Sequence, residues 1–139
     1  MLSTAPAPLP RYLARTAAGC TVAYTVVLVL ATHYPKPQDL LEFSPVSHDK
    51  TLHFLAYGVQ GLLAGTTLVL GGHRRLRPFL ITLLGFAAFA AADEATQPLF
   101  GRYADPLDWV FDCIGLIGGL AIAMTMVGGL TRRQTRREP

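Results

Sequence analysis

The chain has 139 residues, of which 51% are hydrophobic and only 15% are charged, and its mean hydropathy is +0.37. This balance lies well outside that of a water-soluble domain of this size and excludes such a fold. The formal net charge is +3, but most basic residues cluster in three short segments that flank apolar stretches. We therefore expect an all-α, polytopic membrane protein whose partner is the lipid bilayer and not nucleic acid.

Taken in chain order, the sequence predicts one transmembrane domain between two polar tails. Residues 1–12 are rich in proline and alanine and are expected to be a disordered tail, and residues 132–139 a basic cytoplasmic tail. The domain between them, residues 13–131, contains four stretches close to the roughly 20 residues that a spanning helix needs. The predicted spans are approximately residues 13–33, 51–70, 78–99 and 107–130.

The third span is short of apolar residues. It reaches spanning length only if Asp93, Glu94 and Gln97 continue the same helix. These side chains then lie inside or at the edge of the hydrocarbon, where an ionisable residue costs about 2.5 to 3.5 kcal/mol at a helix centre on insertion scales. Such residues persist mainly where they are partnered or functional, so this segment is the first place to look for a site.

The charges also predict an orientation. Nine of the twelve basic residues lie before the first span, between the second and third, or after the fourth. By the positive-inside rule these segments are cytoplasmic, which gives a four-helix bundle in the cell (plasma or inner) membrane with both termini cytoplasmic. Eight of the nine acidic residues lie in or beside the two remaining segments, so the non-cytoplasmic side is expected to be acidic.

Small residues predict how the helices pack. Gly61 with Gly65, and Gly115 with Gly119, have the four-residue spacing that lets two membrane helices approach closely. A run of alanines from Ala87 onward makes the third helix thin. We expect the second, third and fourth helices to pack tightly together.

Several polar residues near the helix ends have simple structural explanations. Gly101 suits a tight turn, and Asp105 precedes a proline, as the N-cap of the fourth helix would, with Asp108 at the capping-box position. For Asp105, capping and ligand contact are equally good explanations. Asp49 is in the same way a candidate N-cap of the second helix. Arg102 is either a solvated loop residue or the partner of Asp105 in a weak surface ion pair.

Three predicted helices nevertheless direct polar side chains to about the same depth on one side of the membrane. Residues four apart on the second helix, and one turn apart on the third and fourth, share a helix face. The candidate ligand-binding residues are Asp49, Lys50, His53, Tyr57, Asp93, Glu94, Gln97, Arg102, Asp108 and Asp112. No capping role reaches Asp93, Glu94 or Asp112, whereas His53 and Tyr57 are also explained as interfacial side chains satisfied by water.

The order of these residues resembles the signature of the VanZ-like family of small integral membrane proteins. Four motifs carry the resemblance: Asp49-Lys50-x-x-His53-Phe54-x-x-Tyr57, Asp93-Glu94-x-x-Gln97, Gly101-Arg102 with Asp108, and Asp112-x-x-Gly115. The resemblance covers most of the chain. The chain departs from it at Asp112, where many members carry asparagine, so a shared hydrogen-bonding role at this position does not follow.

The resemblance implies a role in the cell envelope but does not name a ligand. The founding member of the family is linked to low-level resistance to the glycopeptide antibiotic teicoplanin by a mechanism that is not established, so resistance does not transfer to this chain. We expect the acid-rich site to bind the head group of a phosphorylated lipid or cell-envelope precursor. Lys50, His53 and Arg102 are the side chains expected to face the anion.

An excess of carboxylates is an odd environment for a phosphate group. A divalent cation held by Asp93, Glu94 and Asp112, or protonation of one of the two adjacent carboxylates, would resolve the conflict. If a reaction is catalysed, His53 is the candidate acid or base, and Asp93 and Glu94 are the candidate ligands of a metal or a water molecule. The sequence assigns no enzymatic activity.

Two other functions compete with head-group binding. The first is a non-enzymatic scaffold or helper whose polar cluster fixes helix packing, since interhelical polar contacts average about 0.6 kcal/mol each. The second is an ion or proton pathway, which needs polar residues through the full depth of the membrane. The inner halves of the third and fourth helices, residues 79–91 and 118–130, offer almost none.

Overall fold

The computed structural model describes residues 11–34 and 49–130. These residues form four α-helices and no strand: α1 (Arg11–Thr32), α2 (Asp49–Leu70), α3 (Leu76–Thr96) and α4 (Pro106–Ile122). A 3-10 helix, Gln97–Phe100, extends α3, and a π-helical turn, Ala123–Val127, extends α4 towards residue 130. All four helices are long and apolar enough to cross a membrane, which confirms the prediction of an all-α, multi-pass protein.

When the extensions of α3 and α4 are included, the helices begin and end within two residues of the predicted spans, which is the usual uncertainty of helix ends. α1 already begins at Arg11, so residues 11 and 12 are helical and do not belong to the predicted tail. α3 continues through Asp93 and Glu94, as its length requires, and ends at Thr96. Residues 1–10, 35–48 and 131–139 lie outside the described part of the chain.

The segment between α3 and α4 is shaped by two local devices. Gly101 ends the 3-10 helix with φ of 75°, a left-handed conformation that glycine adopts without a steric penalty. Asp105 is the N-cap of α4, because its side chain accepts a hydrogen bond from the backbone N–H of Leu107 at 2.9 Å. Pro106 occupies the first helical position, where no backbone donor is needed. The predicted turn at Gly101 and the predicted cap at Asp105 are therefore confirmed.

α2 and α4 are in close backbone contact along a stripe of glycines, which we call the glycine seam: Gly61, Gly65, Gly115 and Gly119. A methyl group added at Gly115 or Gly119 would collide with the backbone of Gly58, and one at Gly61 with the backbone of α4. The predicted small-residue contacts are therefore confirmed for this pair of helices. α3 differs from the prediction, since it packs mainly on α4 and meets α2 over a short stretch only.

α1 is joined to α2 by polar side chains instead of glycines. The side chains of Thr25 and Gln60 are hydrogen-bonded at 3.1 Å, and the hydroxyls of Thr21 and Thr67 lie 3.1 Å apart closer to the opposite end. Gln60 is fully buried. Polar contacts therefore extend along this interface well below the predicted site, which the sequence analysis of the third and fourth helices did not anticipate.

The C-terminal ends of α1 and α3 and the N-terminal ends of α2 and α4 lie together at one end of the bundle, which we call the polar end. The hydroxyl of Thr32 at the end of α1 donates to Asp93 of α3 at 3.0 Å. The ammonium of Lys50 at the start of α2 donates to Asp108 of α4 at 3.0 Å. Four helix ends thus bring the predicted site residues to one level.

The outward faces of the helices suit a lipid environment. Apolar side chains on all four helices, among them Val22, Leu55, Ile81, Leu84 and Ile117, are between 48% and 67% exposed. Side chains of this kind are stabilised by contact with hydrocarbon and not with water. The distribution is compatible with the bilayer as the partner of this chain.

Candidate functional site

A histidine and an aspartate from facing helices form the centre of the polar end. Nδ1 of His53 in α2 is hydrogen-bonded to Oδ1 of Asp112 in α4 at 2.9 Å, and both side chains are buried. Oδ2 of Asp108 lies 3.9 Å from the other ring nitrogen, Nε2. The two helices meet here because Gly115, one turn after Asp112, lets the backbones approach. The glycine seam therefore sets the distance between the histidine and its carboxylate.

Lys50 neutralises two carboxylates at the start of α4. Its ammonium donates to Oδ2 of Asp105 at 2.7 Å and to Oδ1 of Asp108 at 3.0 Å. This contact lowers the pKa of the Asp105 carboxyl below its usual range, and the N–H of Leu107 acts in the same direction. Of the two roles that the sequence left open for Asp105, the structure shows the cap, because one oxygen accepts from Leu107; the other oxygen holds Lys50.

Glu94 links α3 to the start of α4. Its Oε1 accepts a hydrogen bond from the backbone N–H of Asp105 at 2.6 Å, and its Oε2 accepts one from Nε2 of Gln97 at 2.8 Å. In a capping box, the backbone N–H of Asp105 would bind the side chain of Asp108. The capping-box prediction for Asp108 is therefore wrong, because Glu94 takes that donor and Asp108 turns to Lys50.

Glu94 consequently has the capping role that the sequence analysis excluded for it. The residue lies in a different helix from the N–H that it binds, so its sequence distance from Asp105 gave no signal. Glu94 is only 5% exposed, and both oxygens of its carboxylate accept hydrogen bonds. Part of its purpose is therefore structural.

Asp93 points away from Glu94, towards α1 and α2. Its Oδ1 accepts a hydrogen bond from the hydroxyl of Thr32 at 3.0 Å, and its Oδ2 accepts one from the hydroxyl of Tyr57 at 3.2 Å. His33 approaches the same carboxylate, with Nδ1 3.4 Å from Oδ1, and its Nε2 lies 2.9 Å from the hydroxyl of Thr96. Asp93 therefore joins three helices through hydroxyl groups.

The sequence analysis missed three members of this contact: Thr32, His33 and Thr96. They follow the last apolar residues of α1 and α3, where hydroxyl and imidazole groups are common and give no periodic pattern. Depth in the membrane was the signal that could have identified them. Neighbouring helices in such a bundle alternate in direction, so the end of the first span lies at the same level as Asp93. His33 adds an imidazole beside the compensating groups expected from the sequence.

Arg102 contacts α1 and α2. It does not pair with Asp105, which the sequence analysis offered as one explanation. Its Nη1 donates to the backbone oxygen of Thr32 at 2.9 Å, and its Nη2 lies 3.7 Å from Oδ1 of Asp49. The carbonyl belongs to the last residue of α1, where the helix dipole favours a cation. The side chain of Arg102 is only 14% exposed, so it is not a solvated loop residue.

A cavity of about 220 Å³ opens between α1 and α2 at the polar end. Its polar rim and its apolar wall are formed by different residues. The rim contains Thr32, Asp49, His53, Tyr57 and Arg102, and the wall contains Leu28, Ala31, Leu52 and Ala56. The cavity is therefore lined by both charged and apolar residues.

All ten predicted site residues lie at the polar end, but they fall into two groups. Asp49, His53, Tyr57 and Arg102 line the cavity. The remaining residues contact the rim or hold the helix ends together: Lys50, Asp93, Glu94, Gln97, Asp108 and Asp112. The residues that line the cavity are therefore a smaller set than the predicted ligand-binding residues.

The predicted metal ligands are not grouped as expected. Glu94 and Asp112 lie with His53, with one donor atom of each within 4.8 Å of the others, and a second group consists of Asp49, His53 and Asp108. Asp93 is in neither group, because its oxygens face Thr32 and Tyr57. The donor types fit a divalent cation. A cation at the first group would compete with the His53–Asp112 and Gln97–Glu94 hydrogen bonds for the same side chains.

The hydrogen bonds at the polar end are complete among the described residues. No buried side-chain nitrogen or oxygen in this part of the chain lacks a partner. The His53–Asp112 pair has the geometry of a base held by a carboxylate, and His53 also lines the cavity, so proton transfer to a bound group is chemically feasible there.

Comparisons with family models, with curated proteins and with solved structures find no match to this chain.

Proposed function

We propose that the polar end binds the head group of a phosphorylated lipid or lipid-linked cell-envelope precursor. One observation carries this proposal: Arg102 lines the same cavity as apolar side chains of α1 and α2. An amphiphile with an anionic head places its phosphate at the rim and its chain along the wall. A soluble anion would leave the apolar wall without a partner.

Arg102 is the best placed group for a phosphate. Guanidinium has five N–H donors, and Arg102 uses one of them in a hydrogen bond to Thr32 and a second in the longer contact with Asp49. It therefore retains donors for a bidentate contact with phosphate oxygens. Lys50 is already held by two carboxylates and does not line the cavity, so its role is to neutralise the start of α4.

The orientation and the family are parts of the same proposal. The distribution of arginines supports a polar end on the non-cytoplasmic side, with both termini cytoplasmic, in the cell membrane. The resemblance to the VanZ-like family is supported by contacts between its motifs, such as His53 with Asp112 and Tyr57 with Asp93. A link to glycopeptide susceptibility is a family-level expectation that binding of an envelope precursor would explain.

The proposal is tested by comparing lipid binding by wild type and by the Arg102→Gln variant, both purified in detergent. Native mass spectrometry compares the binding of dihexanoyl phosphatidate with that of dihexanoylglycerol, which has the same chains but no phosphate. The difference measures the contribution of the phosphate group. We expect wild type to retain the phosphatidate and not the diacylglycerol, and Arg102→Gln to lose about tenfold or more in affinity, as for a buried charged hydrogen bond. The matched control is Arg77→Gln, an exposed arginine at the start of α3. Equal binding of both lipids by wild type would refute the proposal.

A scaffold function is the second candidate, and the completeness of the hydrogen bonds favours it. A cluster that only fixes helix packing should depend on every partner for assembly. We expect His53→Ala and Glu94→Gln to yield inserted, monodisperse protein if the site is functional, with lipid binding lost in His53→Ala, because His53 lines the cavity. Degradation or aggregation of both variants, measured by size-exclusion chromatography, would favour the scaffold.

A further inference from the structure

The charges at the rim of the cavity select among phosphorylated head groups. Six carboxylates lie at the polar end among the described residues, against the two permanent cations Lys50 and Arg102. Those carboxylates are Asp49, Asp93, Glu94, Asp105, Asp108 and Asp112. Asp49 is the one that pairs with the guanidinium of Arg102 and also lines the cavity.

A head group that carries only negative charge is poorly matched to this rim. Oδ1 of Asp49 lies 3.7 Å from Nη2 of Arg102, so a phosphate bound to the guanidinium comes close to a carboxylate. Like charges at such a distance repel unless a cation lies between them. A ligand with a positive charge of its own removes this repulsion without a metal ion.

We infer that the ligand is a zwitterionic lipid whose head group carries a primary ammonium beyond its phosphate, with the phosphate on Arg102 and the ammonium on Asp49. This inference rests on the proposed function and specifies the class of lipid. The guanidinium and the carboxylate then each contact a group of opposite charge. The apolar wall of the cavity commits the ligand to a lipid and not to a free phosphoethanolamine.

The exposure of the two side chains matches the order of groups in such a lipid. The side chain of Arg102 is 14% exposed and that of Asp49 is 40% exposed. In a phosphoethanolamine lipid the phosphate is next to the glycerol and the acyl chains, and the amine extends towards water. The more deeply placed cation therefore meets the phosphate, and the more exposed carboxylate meets the amine.

The rim also favours a primary over a quaternary ammonium. A primary ammonium donates hydrogen bonds to a carboxylate, whereas recognition of a quaternary ammonium generally uses the faces of several aromatic rings. Among the described residues that line the cavity, Tyr57 supplies the one phenol ring, and its hydroxyl is bound to Asp93. A trimethylated head group is therefore expected to bind more weakly.

The test compares four ligands on the intact protein by native mass spectrometry: dihexanoyl phosphatidylethanolamine, phosphatidylcholine and phosphatidylglycerol, and free phosphoethanolamine. We expect wild type to prefer the ethanolamine lipid over the glycerol lipid by about fivefold, the ratio that about 1 kcal/mol from a partly exposed ion pair provides. Asp49→Asn should abolish this preference, and Asp49→Glu should restore it. Arg77→Gln should leave it unchanged.

Each outcome bears on a different part of the inference. Equal or tighter binding of the glycerol lipid by wild type overturns the inference that the ligand is zwitterionic and leaves phosphate binding intact. Free phosphoethanolamine that binds as tightly as the lipid overturns the assignment to a lipid. If the protein retains no phosphorylated lipid at all, the proposed function itself fails. The wild-type comparison stands alone if Asp49→Asn does not insert.

Discussion

The carboxylate of Glu94 accepts a hydrogen bond from the backbone N–H of Asp105 at 2.6 Å, so a side chain of α3 caps the first turn of α4. The second oxygen of Glu94 accepts from the amide of Gln97, one turn along the chain. These two bonds orient the loop that contains Arg102. The position of the candidate phosphate-binding residue therefore depends on a buried glutamate that does not line the cavity.

Glu94→Ala should destabilise the protein more than Glu94→Gln. Alanine leaves the N–H of Asp105 and the amide of Gln97 without their acceptor, at about 1 to 3 kcal/mol for each buried group. Glutamine keeps one oxygen as the acceptor for the N–H of Asp105. Gln97 can rotate its amide so that its oxygen accepts a hydrogen bond from the new side-chain NH2 group. SDS-induced unfolding followed by circular dichroism measures the difference. An Ala variant as stable as wild type would show that this cap does not stabilise the bundle.

The glycine seam should be intolerant of a single added methyl group. In Gly119→Ala the new Cβ meets the backbone of Gly58, which has no flexible end that can move aside, so we expect a loss of about 1 to 3 kcal/mol. Gly118→Ala is the matched control, because nothing lies within 4 Å of a Cβ there. Thermal unfolding of the two variants in the same detergent should separate them clearly. Equal unfolding temperatures would contradict the close approach of α2 and α4.

The contact of Lys50 with Asp105 should make stability depend on acid pH. The pKa of Asp105 is lower in the folded protein than in the unfolded chain, so this carboxylate stabilises the fold at pH values above its unfolded pKa of about 3.9. The stabilisation is lost as the pH falls through the lower, folded pKa. The difference in unfolding free energy between wild type and Asp105→Asn should be constant from about pH 5 to 8 and should shrink below about pH 4. A difference that does not change in acid would show that the pair is not formed.

The proposed orientation predicts which surface residues are reached from outside the cell. In a variant without Cys20 and Cys113, a cysteine replacing Tyr103, which is 94% exposed in the loop before α4, should react with a membrane-impermeant maleimide in intact cells. A cysteine replacing His73, exposed in the turn between α2 and α3, should react only after lysis. Mass-tagged maleimide and gel electrophoresis provide the measurement. The reverse pattern would place the polar end in the cytoplasm.

Much of the fold followed from hydrophobicity and spacing, because these act within one helix. The four spans, the turn at Gly101 and the cap at Asp105 each depend on residues within a few positions of one another. The glycine pairs of α2 and α4 were also visible, since each pair lies on one helix face. The sequence overestimated the packing of α3, because its alanines indicate how closely a neighbour can approach and not which neighbour does so.

The partners of the site residues did not follow in the same way. Arg102 binds the end of α1, and Glu94 binds the backbone of Asp105, because helix rotation and depth bring these groups together across the bundle. Helical spacing places Asp93 on a face but does not indicate whether that face meets Asp112 or the hydroxyls of Thr32 and Tyr57. The division of the predicted site into a cavity rim and a supporting network is therefore a result of the structure.

The glycine seam also determines which part of the bundle adapts to a bound molecule. Because the facing backbones of α2 and α4 leave no room for a methyl group, these two helices form a fixed wall that carries His53 and Asp112. α1 forms the opposite side of the cavity and is held by hydroxyl and amide contacts that can exchange partners. If the cavity binds head groups of different size, we expect α1 to shift and not α2, and Thr32, which contacts both Arg102 and Asp93, to move with α1.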